Sequence, residues 1–585
     1  MSMALLEQML AASILVLWRQ VIPRIPPDVI RMLARALFSK SWARFEKVTA
    51  DPRLAQHGRL MEIVGRNRDT AFGREHGFGE IRSIEDFQRR VPILGYDELG
   101  LYIQRMMRGE RDVLVSDPVK YFARTSGTTG AAKYIPVTER YLEEFRSGRR
   151  VWSRQVAQVF PGLVRGTLLT MHSPKIEGKT EAGIPYGSIT VAMGAIDQGT
   201  TGSLPLLKPF QRIPMRIFFI EDFNTKYYVL LRTALVTNIS MMAAINPSTL
   251  ILMCRKLTEF APSLIEDCER GGLRSDLEIE PELRAQLQGR LRPAPDAAAR
   301  LRASLAAHGR VRPIDIWPNL CGLMSWKGGS APFYLRQFPE WFGQLPVMDY
   351  GYAATEGSFS IVMSAEGSKG VAAVMGHFLE FIPEDQAEAS DPDVLTIDQL
   401  EEGRRYFVLV TGSHGLYRYF INDVIEVVGF YKNTPEIVFC HKGGNMISYT
   451  GEKIGESHVV TAVSEAQEET GIHLDGFCVT VRLDSANPRY IFAVEPSQTQ
   501  EEGSLIELLE ACERGLRRAN IEYAAKRESL RLDDPGLVVV SPGSFERLRQ
   551  ARLAAGAFDS HLKVPHLEPD PAVIEKLGVL RAVRA

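Results

Sequence analysis

The sequence predicts an α/β protein with two domains. The larger N-terminal domain has mixed sheets with helices plus a β-rich subdomain, and a small C-terminal α+β domain follows on a hinge. Three observations predict this fold class. The chain has 585 residues, which is too many for one compact core. Short apolar runs alternate with helical stretches over residues 165–260, which is typical of a sheet covered by helices. After Cys440 a new succession of helices and strands begins.

Composition excludes several classes of protein. Hydrophobic residues make up 45% and charged residues 24% of the chain, as in a folded globular protein. The 69 basic and 71 acidic residues give a net charge of -2, so no bulk charge attracts nucleic acid or an acidic membrane. Six cysteines without a CxxC pair exclude a disulfide scaffold and a thiolate zinc site. We therefore expect a cytoplasmic protein, a monomer or weak homodimer, that binds no nucleic acid.

The N-terminal segment is apolar from Met3 to Trp18. It is shorter than the roughly 20 residues that a membrane span needs, and it lacks the basic start and cleavage site of a signal peptide. The next segment has apolar residues at helical spacing together with Arg24, Arg31 and Arg35. We expect a pair of helices packed on the first domain, with contact to a membrane surface as the alternative.

The remaining pattern sets the domain boundaries. Residues 271–313 are rich in Arg, Ala, Glu and Pro with weak apolar periodicity, which predicts exposed helices, and residues 371–440 read as successive strands. We place the first domain at residues 1–442, a glycine-rich hinge at 443–456 and the mobile domain at 457–585.

The tract TSGTTG is the first candidate site. Its glycines let a backbone approach phosphate closely, and hydroxyl and N–H groups can wrap the phosphate oxygens. A following lysine adds a compact positive charge. A plain turn is the alternative, and no GxxxxGK[ST] loop is present. The candidate residues are Thr125, Ser126, Thr128, Thr129 and Lys133.

The tract YAATEG is the second candidate site, and it follows a strand-like run. Glu356 beside Thr355 offers oxygen ligands of the kind that Mg²⁺ prefers, although a turn with an exposed glutamate is the alternative. Tyr352 begins the same tract. The nearby loop GGSAPFY, with Gly329, exposes backbone suited to lying against a flat ring.

The tract GLYRYFIND and two lysines complete the candidates. Asp423 is expected to follow a strand, where it can accept hydrogen bonds from two ribose hydroxyls, and Arg418 can face a phosphate. A surface salt bridge is the alternative for this pair. Lys453 lies in the hinge tract TGEK and Lys563 in the tract SHLKVP near the chain end, where a solvated lysine is the ordinary interpretation.

Taken together and in this order, these tracts resemble the adenylate-forming superfamily. More narrowly, the chain resembles a bacterial-type member of the Gretchen Hagen three family of acyl acid amido synthetases. The resemblance covers about residues 60–566. Its blocks are TAFGREHGF, the TSGTTG tract, WPNLCGLMSWKGGSAPFY, YAATEG, GLYRYFINDVIEVVGF, TGEK and SPGSFERLRQARLAAGAFDSHLKVP.

The resemblance implies an ATP-dependent acid–amino acid ligase. A small carboxylic acid attacks the α-phosphate of Mg²⁺-bound ATP to give an acyl adenylate, and an amine, usually an amino acid, then takes the acyl group. The TSGTTG residues and Lys133 would bind phosphate, Thr355 and Glu356 would lie at the α-phosphate and Mg²⁺, and Asp423 at the ribose. Lys453 and Lys563 would be catalytic cations carried by the mobile domain, which is expected to rotate between the two steps.

Some features remain outside the family pattern or open to other interpretations. Residues 170–220 resemble the acyl-binding segment of the family, but the acid and the amine are not specified. Phe420 and Asn422 stand where plant members usually have a basic residue and a glycine, and Asn tolerates the left-handed backbone that such a turn needs. Two alternatives are an adenylating enzyme that transfers to a thiol such as coenzyme A, and a non-catalytic binding protein on the same fold.

Overall fold

The computed structural model describes most of the chain. The described residues are 24–124, 133–171, 176–189, 213–329, 331–386, 389, 391–443, 446–447, 452, 454–483, 487–528, 532–554 and 564–584. The chain forms two compact units. The first comprises Met1–Lys327, Tyr334–Ile421 and Glu426–Val438, and the second comprises Gly328–Phe333, Asn422–Ile425 and Phe439–Ala585.

Helices and strands alternate along most of the described chain. The helices are α1 (Pro27–Leu37), α2 (Ser39–Ala50), α3 (Pro52–Arg66), α4 (Ala71–Glu75), α5 (Ile84–Arg90), α6 (Tyr96–Met107), α7 (Glu139–Val159), α8 (Phe223–Leu235), α9 (Pro247–Glu259), α10 (Ala261–Arg270), α11 (Pro281–Gln288), α12 (Pro295–His308), α13 (Pro313–Ile316), α14 (Ala331–Leu335), α15 (Phe338–Phe342), α16 (Glu456–Thr470), α17 (Glu502–Ala519), α18 (Ile521–Glu528), α19 (Ser544–Ala554) and α20 (Val573–Lys576). The strands of the first half are β1 (Tyr121–Arg124), β2 (Tyr134–Val137), β3 (Thr167–Thr170), β4 (Ile176–Lys179), β5 (Pro185–Gly187), β6 (Ile239–Ala243), β7 (Gly322–Met324), β8 (Val347–Met348), β9 (Ala353–Ala354), β10 (Gly357–Ser358), β11 (Ser360–Val362) and β12 (Gly370–Ala372). The later strands are β13 (Phe378–Pro383), β14 (Leu395–Thr396), β15 (Arg405–Thr411), β16 (Tyr419–Tyr431), β17 (Thr434–Lys442), β18 (Met446–Ile447), β19 (Ile454–Gly455), β20 (Leu474–Arg482), β21 (Arg489–Pro496), β22 (Gly536–Val540) and β23 (Val579–Val583).

A parallel sheet lies within a large hydrophobic core of the first unit. Its strand order is β3-β6-β7-β8, and each neighbouring pair is parallel. All five residues of β6 are buried, which is expected of a parallel strand covered by helices on both faces. The predicted α/β class is therefore confirmed for this region.

The helices at residues 271–313 correct the sequence prediction. We expected them to be exposed, but Leu283 and Leu287 of α11 and Leu301 of α12 are buried in the core beside the parallel sheet. Alanines at Ala297 and Ala298 are buried as well. Small side chains let α12 pack closely without a strong apolar stripe, so the periodicity understated its burial.

A seven-stranded sheet forms the predicted β-rich region. Its strand order is β11-β12-β17-β16-β15-β13-β14. Strand β13 pairs antiparallel with both β15 and β14, and all six of its residues are buried. Burial on both faces explains why this part of the sequence is almost entirely apolar. The two titratable exceptions are His377, just before the strand, and Glu380, within it.

Helix α7 is the element that supports the candidate site in the first unit. Thr138 caps its N-terminus by accepting a hydrogen bond from the Tyr141 backbone N–H at 3.2 Å. The buried face follows helical spacing through Phe145, Gly148 and Trp152. Glu144 also lies on this buried face, so the helix carries a carboxylate into the interior.

The described part of the N-terminal region begins with α1, which packs on α7. The Arg31 Nε donates to the Gln158 backbone carbonyl at 3.1 Å, and the Gln158 Nε2 donates to the Arg31 carbonyl at 3.0 Å. The predicted first helix, Met3 to Trp18, lies outside the described residues. None of the helices in the described part of the chain combines the length and apolar character that a membrane crossing requires.

The second unit is built around a four-stranded sheet. Its order is β20-β21-β22-β23, with a parallel pair between β21 and β22. Helices α16 and α17 approach so closely that a Cβ at Gly515 would lie 2.8 Å from the Ala462 Cα, which excludes any side chain there. In the described part of residues 443–456, Met446–Ile447 and Ile454–Gly455 pair as a short antiparallel ribbon.

Candidate active site

The described strands β1 and β2 flank the TSGTTG tract in the sequence. Strands β1 and β2 pair antiparallel, with Arg124 opposite Tyr134. The predicted residues between them, Thr125, Ser126, Thr128 and Thr129, lie outside the described residues. Lys133 is described: its side chain is exposed and its ammonium lies 5.4 Å from the centre of the Tyr96 ring.

Thr355 and Glu356 form the tip of a tight hairpin. Strands β9 and β10 pair antiparallel, with Gly357 opposite Ala354. Glu356 is only 7% exposed, so the alternative of an exposed turn glutamate is wrong. The fully buried Tyr141 of α7 donates its hydroxyl hydrogen bond to the Thr355 carbonyl, which fixes one side of the turn.

A buried carboxylate, which the sequence analysis missed, shapes the approach to this hairpin. The Asp349 oxygens accept hydrogen bonds from the backbone N–H groups of Lys327 and Gly351, each at 2.7 Å. Burial raises the pKa of Asp349 to about 6, against the opposing effect of these hydrogen bonds. Asp349 thus joins the ends of β7 and β8.

Tyr352 follows directly and packs inward. Its ring centre lies 4.7 Å from that of Phe359, and the residue is buried. The Tyr352 backbone N–H donates to the Ser360 Oγ at 2.9 Å. Gly351 before it has a φ of +87°, and a Cβ there would lie 2.6 Å from the Ser360 carbonyl oxygen, so only glycine fits.

Gly329 lies in the GGSAPFY loop and belongs to the second unit. It has a φ of +61°, in the left-handed region that favours glycine. A Cβ at this position would lie 3.4 Å from the Phe439 ring. The loop backbone therefore runs alongside an aromatic ring of the same unit.

Arg418 occupies a buried ion pair. Its Nε donates to the Glu380 carboxylate oxygens at 3.1 and 3.2 Å, and its Nη1 donates to the backbone carbonyls of Gln88 and Val91 at 2.9 and 2.8 Å. Burial raises the pKa of Glu380, and the Arg418 charge opposes that shift. These contacts favour a structural role for Arg418 over the predicted contact with phosphate, and they replace the alternative of a surface salt bridge with a buried one.

Asp423 lies within β16, not after a strand as predicted. It is buried, and Asn422 before it has a φ of +61°, the left-handed conformation that we predicted Asn would tolerate. The Asn422 Nδ2 donates to the Gly443 carbonyl, and the Asn422 carbonyl accepts from the Gly443 N–H at 2.6 Å. These bonds anchor the backbone that carries Asp423.

The two predicted catalytic lysines, Lys453 and Lys563, lie outside the described residues. Their neighbours are described. Glu452 is fully buried and accepts a hydrogen bond from the Tyr490 hydroxyl at 2.6 Å, which anchors the chain next to Lys453. His566, three residues after Lys563, is buried with its ring stacked on Phe477.

A buried polar cluster behind the hairpin was also missed. It comprises Glu144, His377, His414 and Arg59, and the first three are almost fully buried. Arg59 and the Ser413 hydroxyl both donate to the Glu144 carboxylate. The only sequence signals were a glutamate on an apolar helix face and a histidine inside the run VAAVMGHFLEFI, each of which predicts a partnered buried group.

Comparison with known families identifies the architecture along the chain. The GH3 family N-terminal domain matches residues 41–347, the GH3 family central domain residues 370–442, and the GH3 family C-terminal domain residues 457–572. These three matches span most of the chain in the family's own order.

Curated relatives match over nearly their full length. An indole-3-acetic acid-amido synthetase, GH3.8, of Oryza sativa subsp. indica is 26% identical over 553 residues, which is 91% of each chain. The jasmonoyl–L-amino acid synthetase JAR4 of Nicotiana attenuata is 24% identical over 542 residues, covering 89% of this chain and 92% of the relative.

Solved structures share the fold. The GH3.15 acyl acid amido synthetase superposes with a TM-score of 0.80 at 22% identity, covering 92% of this chain and 96% of that chain. A 2-hydroxyisobutyryl-CoA ligase superposes with a TM-score of 0.50 at 13% identity, covering 89% and 90%. The fold is therefore that of the adenylate-forming enzymes. Within that class, the chain belongs to the GH3 family.

Proposed function

We propose that this protein is an ATP-dependent acid–amino acid ligase that works through an acyl adenylate. The observation that carries the proposal is the buried Glu356 at the tip of a hairpin whose backbone Tyr141 fixes. Membership of the GH3 family and relatives named as amido synthetases of indole-3-acetic acid and jasmonic acid support it. The substrates are a small carboxylic acid and an amine, most simply an amino acid.

Each candidate residue except Arg418, which is held in its ion pair, has a role in this proposal. Thr125, Ser126, Thr128, Thr129 and Lys133 bind the ATP phosphates, and Asp423 accepts hydrogen bonds from the ribose hydroxyls. Gly329 and Tyr352 flank the nucleotide. The Glu356 carboxylate and the Thr355 hydroxyl are hard oxygen donors, which fits Mg²⁺. When bound, Mg²⁺ would neutralise phosphate charge at these two residues.

The reaction has two steps. In the first, a carboxylate oxygen of the acid forms a bond to the α-phosphorus of ATP, and the bond to the bridging oxygen breaks to release pyrophosphate. In the second, the amine nitrogen attacks the acyl carbon, loses a proton and displaces AMP. Negative charge builds on the phosphates in the first step, so fixed donors and cations stabilise its transition state. Lys453 and Lys563 supply charge mainly to that step.

Pyrophosphate release across a panel of carboxylic acids, with hydroxylamine as acceptor, tests the proposal. We expect release that depends on both ATP and an acid, together with a hydroxamate product. A second acceptor, coenzyme A, discriminates the alternative, because a thioester formed in preference to an amide would identify a thiol-transferring enzyme. If none of the acids in the panel supports pyrophosphate release, the result would contradict an amido synthetase and favour a binding protein.

Finer assignments accompany the proposal. The departures at Phe420 and Asn422 from the plant pattern support a bacterial-type member of the family. The six cysteines are free thiols, and four of them are buried, which supports a reducing, cytoplasmic setting. We propose a monomer or weak homodimer.

A further inference from the structure

Helix α7 contacts one side of the Thr355–Glu356 turn directly, through Tyr141, and the other side indirectly, through Glu144 and His377. Tyr141 donates its hydroxyl hydrogen bond to the Thr355 carbonyl. Glu144 lies three residues further along the same helix face, with its Oε2 3.0 Å from the Nδ1 of His377. The Nε2 of His377 in turn lies 3.3 Å from the Ser358 backbone nitrogen. Contacts from this helix therefore meet the backbone just before and just after Glu356.

The direction of the contact with Ser358 fixes the state of His377. A backbone N–H can only donate, so the Nε2 of His377 accepts and carries the lone pair. The ring proton then lies on Nδ1, facing the Glu144 carboxylate. That contact is close but not aligned as a hydrogen bond, so its main component is the attraction between the Nδ1–H dipole and the carboxylate charge.

Glu144 stays ionised in this setting. Burial alone would raise its pKa, but the neighbouring His377 and Arg59 more than offset the effect of burial and lower the pKa of Glu144 to about 2. A permanently charged carboxylate therefore faces the Nδ1–H of His377 and orients the ring.

The geometry argues against a metal ion in this cluster. Glu144, His377 and His414 place one ligand atom each within 4.8 Å of one another, as a cation site requires. However, both nitrogens of His377 are committed, one to its proton and one to Ser358, and the Arg59 guanidinium already contacts Glu144. A cation would have to displace these contacts, so the cluster is better suited to hold the hairpin.

Packing makes the ring position decisive for the turn. A Cβ at Gly357 would lie 2.6 Å from the Nε2 of His377, so the imidazole edge rests directly on the backbone that follows Glu356. Any displacement of the ring moves this backbone, because the interior leaves little free space.

We propose that Glu144 and His377 are positioning residues, which hold the Ser358 side of the hairpin so that Glu356 is oriented for the adenylation step. The inference deepens the proposed function and rests on the role given there to Glu356. A misplacement of about 1 Å at such a group is enough to slow a reaction strongly, because catalysis depends on alignment.

Two amide variants of His377 separate the two contacts. In His377→Asn the amide stands where Nδ1 was, so it keeps a donor to Glu144 and loses the acceptor for Ser358. In His377→Gln the amide oxygen stands where Nε2 was, so it keeps the acceptor for Ser358 and loses the donor to Glu144. Both variants are compared with the full-length wild type, and Tyr141→Phe tests the opposite side of the turn.

The first readout needs no substrate. Hydrogen exchange of the peptide around Ala353–Phe359, followed by mass spectrometry, should rise in His377→Asn and stay near wild type in His377→Gln. Because this measurement uses the free protein, it decides the positioning role even if the wild type releases no pyrophosphate and the proposed function fails.

The second readout sets activity against stability. We expect kcat for acid-dependent pyrophosphate release to fall by about tenfold or more in His377→Asn with the KM for ATP little changed, and by roughly threefold or less in His377→Gln. Thermal stability should follow the opposite order, since His377→Gln removes the Nδ1–H that faces the buried Glu144 Oε2, an oxygen with no other hydrogen-bond partner. Activities that follow the stability order, or unchanged exchange in His377→Asn, would overturn the inference.

Discussion

The Thr355–Glu356 turn and the stretch from Arg418 to Asp423, which leads into β16, both carry predicted site residues, but they are supported in opposite ways. The turn is held by side chains from distant parts of the chain: Tyr141 lies 214 residues before Thr355. In the second stretch the motif's own side chains do the anchoring, because Arg418 forms the buried ion pair with Glu380 and Asn422 adopts the left-handed conformation.

This difference shows what a local motif can and cannot assign. In YAATEG, side chains from other parts of the chain hold the backbone on both sides of Glu356. In GLYRYFIND a charged residue that resembles a ligand contact is committed to the fold. A charged residue in a motif is therefore as much a candidate for internal pairing as for ligand binding. Burial of the residue with a partner of opposite charge decides between the two.

The largest expected effect tests the structural side of this comparison. Arg418→Met keeps most of the apolar stem but leaves the Glu380 carboxylate without its positive partner and two backbone carbonyls without their donor. We expect a loss of about 3–5 kcal/mol in the free energy of unfolding, measured by urea denaturation. The control is Arg404→Ala at an exposed ion pair, where a loss of no more than about 1 kcal/mol is expected. A stable Arg418→Met protein with weakened ATP binding would instead place Arg418 in the nucleotide site.

A change at Asp423 tests the proposed contact with the ribose of ATP. Asp423→Ala should weaken ATP binding by about 1.5–3 kcal/mol, because a charged hydrogen-bond acceptor is lost. Isothermal titration calorimetry with ATP measures this directly. Glu426→Ala on the same strand, whose carboxylate pairs with Arg405 on a half-exposed surface, serves as the matched control. Unchanged affinity in a folded Asp423→Ala protein would remove Asp423 from the site.

Glu356 tests the turn itself. Glu356→Gln keeps the shape of the side chain but removes the charge that a hard cation prefers. Pyrophosphate release should fall by at least about tenfold, which corresponds to roughly 1.4 kcal/mol of barrier, with the largest defect at limiting Mg²⁺. Glu366→Gln, at an exposed loop position, should behave as wild type. Normal turnover of Glu356→Gln at limiting Mg²⁺ would separate Glu356 from the metal.

The sequence predicted elements better than it predicted partners. The periodicity of residues 458–469 predicted the helix that the structure has at Glu456–Thr470. The family resemblance, with a glycine at position 422 in plant members, and the tolerance of Asn for a left-handed backbone together predicted the conformation of Asn422. The pairing of Arg418 with Glu380 could not be read from the sequence, because it depends on how β13 and β16 are ordered within one sheet.

The same limit explains the missed cluster. Glu144 and His377 come together only when α7 packs on the loop that precedes β13, and no local spacing encodes that contact. A glutamate on the apolar face of a helix is a sign of a buried partner, but it does not name the partner.

The smallest expected effect is a pH dependence of stability that arises from His414, behind the Thr355–Glu356 turn. His414 lies in the cluster behind the turn, with its ring 4.3 Å from that of Tyr141 and with His377, Glu144 and Arg59 as its charged or titratable neighbours. Burial, reinforced by His377 and Arg59 and opposed by Glu144, lowers the pKa of His414 from 6.5 to about 3. The unfolded chain therefore binds a proton below about pH 6.5 that the folded chain does not bind until about pH 3.

Stability must consequently fall as the pH decreases through that window. For one such histidine the loss between about pH 7 and about pH 5.5 is about 1 kcal/mol. We expect His414→Leu to lose this part of the pH dependence of the free energy of unfolding, measured by urea denaturation at each pH. His473→Leu, at an exposed position of the second unit, should keep the wild-type dependence. If His414→Leu instead retains the full acid-induced loss, then the pKa of His414 is not lowered in the folded protein, and other groups carry the pH dependence.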